Sequence, residues 1–200
     1  MPIKAVVWDI GGVMMRTEDQ APRAELAEEL GVTRAYLNEL VFDGEQGRRA
    51  QIGEISRMEL WDYVRSKLKL APGEYLDLDE RFFGGDVLDT ELVDFIRSLK
   101  PRFKMGIISN AWSQIEKSLE EWGINDAFEV VVGSGDVGIM KPDPRIFQIA
   151  LERLGVEPSE AVFVDDFIQN VRGAQELGIN AIHFQGREQV IQELEQLLDM

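Results

Sequence analysis

The chain has 200 residues, of which 44% are hydrophobic and 29% charged, a composition typical of one folded core with room for a small accessory domain. Its formal net charge of −16 argues against a surface for nucleic acid or anionic membrane, because both attract basic patches. The absence of cysteine excludes disulfides and thiolate zinc sites, and the single histidine, His183, excludes a metal site built from several histidines.

The N-terminus shows no basic segment followed by an apolar one, and no apolar run approaches the length of a membrane span. These features predict a cytoplasmic protein that binds neither a membrane nor nucleic acid. The sequence leaves the oligomeric state open between a monomer and a homodimer.

The first predicted element is a short apolar strand over residues 3–8, which ends in a carboxylate, Asp9. Gly11 and Gly12 then break the strand. This places Asp9 at the carboxyl end of a strand, where parallel α/β sheets hold their functional groups. The alternative is that Asp9 merely begins a turn, and this stretch alone does not decide between the two.

Residues 16–85 carry helical patterns only. The predicted helices cover residues 21–30, 33–42, part of 42–53, 56–71 and 73–83. Ser56 and Glu59 have the spacing of a capping box at the start of a helix. The segment is therefore expected to be an all-helical insert, joined to the rest of the chain near residues 15 and 86.

From residue 88 onward, helices alternate with apolar strands. The strands are predicted at residues 103–109, 128–132, 161–164 and 181–184. Such alternation predicts the α/β class, with a doubly wound parallel sheet covered by helices on both faces. The expected organisation is a Rossmann-like core of residues 1–15 and 86–200, with residues 16–85 as a helical cap.

Polar groups follow four of the predicted strands, and the ends of parallel strands share one edge of a sheet. The groups are Asp9, then Ser109 with Asn110, then Lys141, then Asp165 with Asp166. Three carboxylates suit a hard divalent cation, usually Mg²⁺, and a lysine and a hydroxyl beside it suit a phosphate. Asp9 would then be a nucleophile that forms an aspartyl-phosphate.

Each group also has a simpler explanation on its own. Asp165 and Asp166, like Ser109 and Asn110, could cap the helix that follows, and Lys141 could lie on the surface ahead of a proline. The functional interpretation depends on their combination, in this order, at the ends of strands. Two other residues lie nearby: Trp112 either lines a substrate pocket or packs where a helix starts, and His183 is predicted to be structural.

The combination resembles the haloacid dehalogenase superfamily, most of whose members are Mg²⁺-dependent phosphatases. The resemblance covers the whole chain and is carried by the motifs at Asp9, at Ser109, at Lys141 in KPDPRIF and at the acidic pair in VFVDDFIQN. It implies that Asp9 and Lys141 are catalytic, that Ser109, Asn110 and Lys141 bind the substrate, and that the cap closes over a small phosphorylated molecule. The details resemble sugar-1-phosphate phosphatases and the N-terminal domain of soluble epoxide hydrolases.

The resemblance also implies a Mg²⁺ site formed by Asp9, Asp165, Asp166 and the backbone carbonyl of Gly11. Gly11 is the main departure from the family pattern, because most family phosphatases carry an aspartate there that protonates the leaving oxygen and later activates water. Glycine cannot take this role, and general acid–base catalysis is worth about 10²–10⁴-fold in rate.

Three interpretations follow from this departure. In the first, the chain is a phosphatase whose substrate, for example a sugar 1-phosphate, needs little proton donation at its leaving oxygen. In the second, it is a non-catalytic phosphate-binding or regulatory relative. In the third, it is a 2-haloacid dehalogenase, since halide leaves without a proton, but that chemistry does not account for the retained acids Asp165 and Asp166.

Overall fold

The structure is a computed structural model that describes residues 2–71 and 73–199. Over these residues the chain forms seven strands: β1 (Ala5–Trp8), β2 (Met15–Thr17), β3 (Asp86–Leu88), β4 (Lys104–Ser109), β5 (Val130–Gly133), β6 (Ala161–Asp165) and β7 (Asn180–His183). Five of them form a parallel sheet in the spatial order β5-β4-β1-β6-β7. The predicted α/β class with a parallel sheet is confirmed, and the end of the central strand β1 lies between the ends of β4 and β6.

Eleven α-helices accompany the strands within the described ranges. They are α1 (Ala21–Glu29), α2 (Arg34–Asn38), α3 (Glu45–Gln51), α4 (Arg57–Lys67), α5 (Leu78–Phe82), α6 (Thr90–Leu99), α7 (Ile115–Glu121), α8 (Ser134–Val137), α9 (Pro144–Leu154), α10 (Ile168–Glu176) and α11 (Arg187–Leu197). The predicted capping box is present at α4, where Ser56 and Glu59 each accept a hydrogen bond from the other's backbone N–H. None of the helices in this part of the chain is long and apolar enough to span a bilayer.

Both faces of the sheet are buried, because successive residues of a strand point to opposite sides. In β1, Val6 and Trp8 pack into a cluster with α6, α7 and α11, whereas Ala5 and Val7 pack into a second cluster with α9 and α10. All four side chains are 2% exposed or less. This double coverage explains why the strand is continuously apolar rather than alternating.

Helices α1 to α5 surround a third apolar cluster, which includes Leu26, Leu60, Trp61 and Phe82. These helices lie between β2 and β3 in the chain. We keep the name cap for residues 16–85, and the exact division of the chain into cap and core stays a prediction.

The structure differs from the expected strand-free insert at its N-terminal end, which β2 enters, whereas β3 begins directly after residue 85. The strands β2 and β3 form an antiparallel ribbon, in which Met15 pairs with Leu88 and Thr17 with Asp86. Each strand has three residues and the paired residues are 69 to 73 positions apart, so no local pattern in the sequence indicates the ribbon. Residues 73–83, predicted as one helix, contain a turn followed by the short helix α5.

Candidate active site

Three acidic side chains meet where β1 and β6 end. Carboxylate oxygens of Asp9, Asp165 and Asp166 lie within 4.8 Å of one another. The two strands are direct neighbours in the sheet, with Trp8 opposite Val164, so the acids at their ends are brought to the same edge. Asp165 and Asp9 are buried, and Asp166 is partly buried.

Lys141 joins two of these carboxylates. Its Nζ lies 2.7 Å from Asp9 Oδ1 and 2.6 Å from Asp165 Oδ2, and it donates to the carbonyl oxygen of Ile108 at 2.8 Å. The lysine is only 4% exposed, so its charge is compensated by the protein rather than by water. Its three N–H donors therefore have three acceptors.

Asn110 holds the backbone of this lysine. The Asn110 side-chain oxygen accepts the Lys141 N–H at 2.8 Å, and the side-chain nitrogen donates to the Lys141 carbonyl oxygen at 3.1 Å. Ser109 is the last residue of β4, is 4% exposed and pairs in register with Gly133 of β5. The substrate contacts predicted for Ser109 and Asn110 stay predictions, and the amide of Asn110 is already engaged.

The carboxylate of Asp165 is held on both oxygens. Oδ1 accepts from the Phe167 N–H at 2.7 Å and from Asn170 Nδ2 at 3.0 Å, and Oδ2 accepts from Lys141 and from Asn170 at 3.1 Å. Asn170 lies in the first turn of α10. In the sequence its only signal is a polar residue shortly after an acidic pair, and the structure shows that it orients the first of the two acids.

Asp166 has a different environment. Its Oδ1 is buried, and no residue within the described ranges forms a hydrogen bond to it. His183, the last residue of β7, contacts the Asp166 backbone carbonyl through Nε2 at 2.9 Å and so fixes the backbone rather than the carboxylate. A buried carboxylate oxygen without a donor is costly unless a cation binds it.

The two glycines after Asp9 shape the space around Asp166. A Cβ on Gly12 would lie 2.1 Å from Asp166 Oδ2, and Gly12 has a φ of +79°, so glycine is required on both grounds. A Cβ on Gly11, in contrast, would meet no atom of the described residues within 4 Å. Position 11, where the resemblance leads us to expect an aspartate, therefore has room for a side chain.

The electrostatics of the site favour a bound cation. Burial raises the pKa of Asp9 and the Asp165 carboxylate adds to this, while the Lys141 ammonium opposes it. Burial, with the charges of Asp9 and Asp165, raises the pKa of Asp166 to about 6. Three carboxylates and one ammonium leave a formal charge of −2 when all are ionised, which one divalent cation cancels. Because the donors are all oxygens, the residues fit a hard cation such as Mg²⁺.

Trp112 extends from the loop after β4 into the aromatic residues of the cap. Its ring stacks on Phe42 with centroids 6.3 Å apart, and it meets Trp61 and Phe83 edge-on at 6.2 and 5.8 Å. The sequence left Trp112 open between a pocket lining and packing at a helix start. The structure places it against the cap, two residues after Asn110, the second of the predicted substrate-binding residues.

A model of the haloacid dehalogenase-like hydrolases matches residues 3–178 of the chain. Among curated relatives, bifunctional epoxide hydrolase 2 of Sus scrofa is 26% identical over an alignment of 218 positions. The alignment covers 98% of this chain and 39% of that protein. A glyceraldehyde 3-phosphate phosphatase of Methanopyrus kandleri is 44% identical over 80 residues, which cover 38% of this chain and 34% of that protein. The match thus spans well under two thirds of either relative.

Among solved structures, a haloacid dehalogenase family enzyme of Bacteroides thetaiotaomicron, determined as a magnesium complex, has a TM-score of 0.74 and 26% sequence identity to this chain. The match covers 91% of this chain and 93% of that enzyme. Together with the family model, it confirms the resemblance inferred from the motifs at the strand ends.

Proposed function

Since the chain belongs to the haloacid dehalogenase-like hydrolase family, we propose that it is a Mg²⁺-dependent phosphatase, which transfers the phosphoryl group of a small phosphomonoester to Asp9 and then to water. One observation carries the proposal. Asp9, Asp165 and Asp166 converge within 4.8 Å, and Lys141 bridges two of them. A divalent cation held by these carboxylate oxygens, beside the buried ammonium, would supply the positive charge that a dianionic phosphate requires.

The metal would be held by Asp9, Asp165, Asp166 and the backbone carbonyl of Gly11. The buried Asp166 Oδ1, which has no hydrogen-bond donor among the described residues, supports this assignment. The magnesium complex of the structural relative supports it as well. When bound, Mg²⁺ would offset the negative charge of the phosphate near the Asp9 carboxylate.

In the proposed reaction, covalent bonds form and break at the carboxylate of Asp9. A carboxylate oxygen attacks phosphorus while the bond between phosphorus and the leaving oxygen breaks, which leaves a phosphoryl group on Asp9. Water then attacks this phosphorus, and the Asp9 oxygen leaves as a carboxylate with release of inorganic phosphate. Before the attack, Lys141, 2.7 Å from Asp9 Oδ1, orients the carboxylate and compensates its charge in the buried site.

The leaving oxygen would obtain its proton from water or from a side chain of the cap, because Gly11 provides no side chain at the position where the family carries its acid. This favours substrates whose leaving oxygen is a weak base. The anomeric oxygen of a sugar 1-phosphate is one, and we propose this class ahead of the 6-phosphates. The same glycine favours a second candidate function, a phosphate-binding relative without catalysis, since acid–base help of about 10²–10⁴-fold is missing.

A substrate panel tests the proposal. Phosphate release from p-nitrophenyl phosphate, glucose 1-phosphate and glucose 6-phosphate is measured with Mg²⁺ and with EDTA, for the wild type and Asp9→Asn. We expect release that needs Mg²⁺, exceeds the EDTA rate and is lost in Asp9→Asn. If no substrate is turned over with Mg²⁺ present, the non-catalytic candidate replaces the phosphatase. Halide release from chloroacetate would instead indicate the dehalogenase.

A further inference from the structure

We propose that Ser134 is a positioning residue that couples the docking of the cap to the placement of Lys141. The proposal rests on the proposed function in assigning Lys141 to the reaction. In this view the cap does more than enclose the substrate, because its contact with the core also sets the geometry of the lysine that bridges the buried acids.

Ser134 lies where three segments of the chain meet. It is the first residue of α8 and is 0% exposed. Its hydroxyl donates to the carbonyl oxygen of Gln51 in the cap at 2.6 Å, and its oxygen accepts the N–H of Ala111, in the loop after β4, at 3.0 Å. One side chain therefore satisfies a buried acceptor of the cap and a partly buried donor of the core.

The contact with Gln51 has a structural reason. The Gln51 carbonyl belongs to the last turn of α3, where carbonyl groups have no partner within the helix. The chain then continues close to α8, and a Cβ on Gly53 would lie 2.2 Å from the carbonyl oxygen of Gly135. The hydroxyl of Ser134 thus completes the end of a cap helix at a point of tight contact with the core.

The loop after β4 is attached to the cap a second time, through Trp112. This residue follows Ala111 directly, and its ring stacks on Phe42 and meets Trp61 and Phe83 edge-on. The cap therefore holds the loop by an aromatic contact on the Trp112 side and by the Ser134 hydroxyl on the Ala111 side. A cap that separates from the core either moves this loop or breaks both contacts.

The same loop holds Lys141. Asn110 directly precedes Ala111 and bonds both the N–H and the carbonyl oxygen of Lys141, at 2.8 and 3.1 Å. The ammonium of Lys141 in turn contacts Asp9 and Asp165. Hydrogen bonds and covalent links thus form a connected path from the cap to the buried acids, and a displacement of the loop displaces the lysine relative to them.

Amide hydrogen exchange measured by NMR, without substrate, tests the coupling independently of activity. Ser134→Ala removes the shared hydroxyl. Ser113→Ala is the matched control, because the Ser113 hydroxyl donates to the carbonyl oxygen of Gly135 at 2.9 Å and so joins the same loop to α8 without a hydrogen bond to the cap. The informative signal is the Lys141 amide, which does not contact Ser134 itself.

We expect the Lys141 amide to exchange about tenfold faster in Ser134→Ala, because the buried Gln51 carbonyl and the partly buried Ala111 N–H both lose their partner. It should change less than about twofold in Ser113→Ala. Lys141 exchange that is unchanged in Ser134→Ala, or raised equally in both variants, overturns the proposal. If the alanine variant does not fold, Ser134→Cys keeps the size of the side chain with a weaker donor and is expected to shift Lys141 exchange in the same direction.

Acetyl phosphate provides the activity measurement, because it is too small to depend on a large enclosing pocket and its leaving acetate needs no proton. With Mg²⁺, Ser134→Ala is expected to lower kcat about tenfold with KM changed less than about threefold, while Ser113→Ala keeps both. A change in KM alone means that the cap only gathers substrate, which overturns the proposal. Absence of turnover in the wild type on every substrate rejects the proposed function instead, and Lys141 exchange still decides the coupling.

Discussion

Replacing Gly12 with alanine is predicted to disable the metal site while the fold persists. The new Cβ would lie 2.1 Å from Oδ2 and 2.4 Å from Cγ of Asp166, whereas an ordinary contact is 3.4 Å or more. The carboxylate therefore has to move by roughly 1 Å. The φ of +79° adds strain of about 1–2 kcal/mol to the alanine variant, which lowers its free energy of unfolding but does not abolish folding.

The displacement should be visible in metal affinity. Mg²⁺ demands near-ideal octahedral geometry, and disturbing the orientation of a ligand typically weakens metal binding about 10–100-fold. At a Mg²⁺ concentration of 100 times the wild-type Kd, the metal stabilises the wild type by about 2.7 kcal/mol. At the same concentration a variant with a Kd 100-fold weaker gains only about 0.4 kcal/mol.

The measurement is urea unfolding with EDTA and with Mg²⁺, for the wild type, Gly12→Ala and Gly11→Ala. The neighbouring glycine is a matched control, because a Cβ on Gly11 meets no atom of residues 2–71 and 73–199 within 4 Å. Gly11→Ala is expected to keep the wild-type increase in stability with Mg²⁺. An equal increase in Gly12→Ala would refute the assignment of Asp166 as a metal ligand.

Three further predictions concern the same site. Lys141→Met is expected to lower the free energy of unfolding at pH 7 by about 3–5 kcal/mol in urea, since Asp9 and Asp165 lose their buried counter-charge; a loss under 1 kcal/mol contradicts this. Gly11→Asp is expected to raise kcat for a simple alkyl phosphate at least about tenfold but not for acetyl phosphate, because only the alkoxide needs a proton; equal effects on both rule out a missing acid. In EDTA, the raised pKa of Asp166, about 6 in the folded state against about 3.9 unfolded, means that the contribution of this group is fully present below about pH 4 and lost as the pH rises through about 6. The difference in free energy of unfolding between the wild type and Asp166→Asn should therefore fall over this window, and a difference that rises contradicts the assigned environment.

The parts of the molecule that were predictable from the sequence are those with a short-range cause. The strand that becomes β1 is buried on both faces, so its residues form one apolar run, and Asp9 follows at its end. The same holds for β6 and the acids at its end. Once parallel strands are inferred from the alternation with helices, their carboxyl ends must share an edge, and the convergence of the acids follows.

The parts that were not predictable depend on contacts between distant residues. The β2–β3 ribbon closes the insert through a pairing of two three-residue strands. The requirement for glycine at position 12 arises from Asp166, far along the chain, and the role of Ser134 arises from Gln51 in the cap and Ala111 in the core. None of these relations leaves a periodicity or a motif in the sequence, because each depends on how separate segments pack.

The contacts that the Lys141 ammonium already makes have a consequence for how a phosphate binds beside it. All three of its protons already have acceptors, on Ile108, Asp9 and Asp165. An incoming phosphoryl oxygen that bonds to this lysine must therefore exchange places with one of them. In the proposed reaction the Asp9 carboxylate gives up its negative charge when it becomes an acyl phosphate. This weakens its ion pair with Lys141, so the ammonium is released to bond to the bound phosphoryl group.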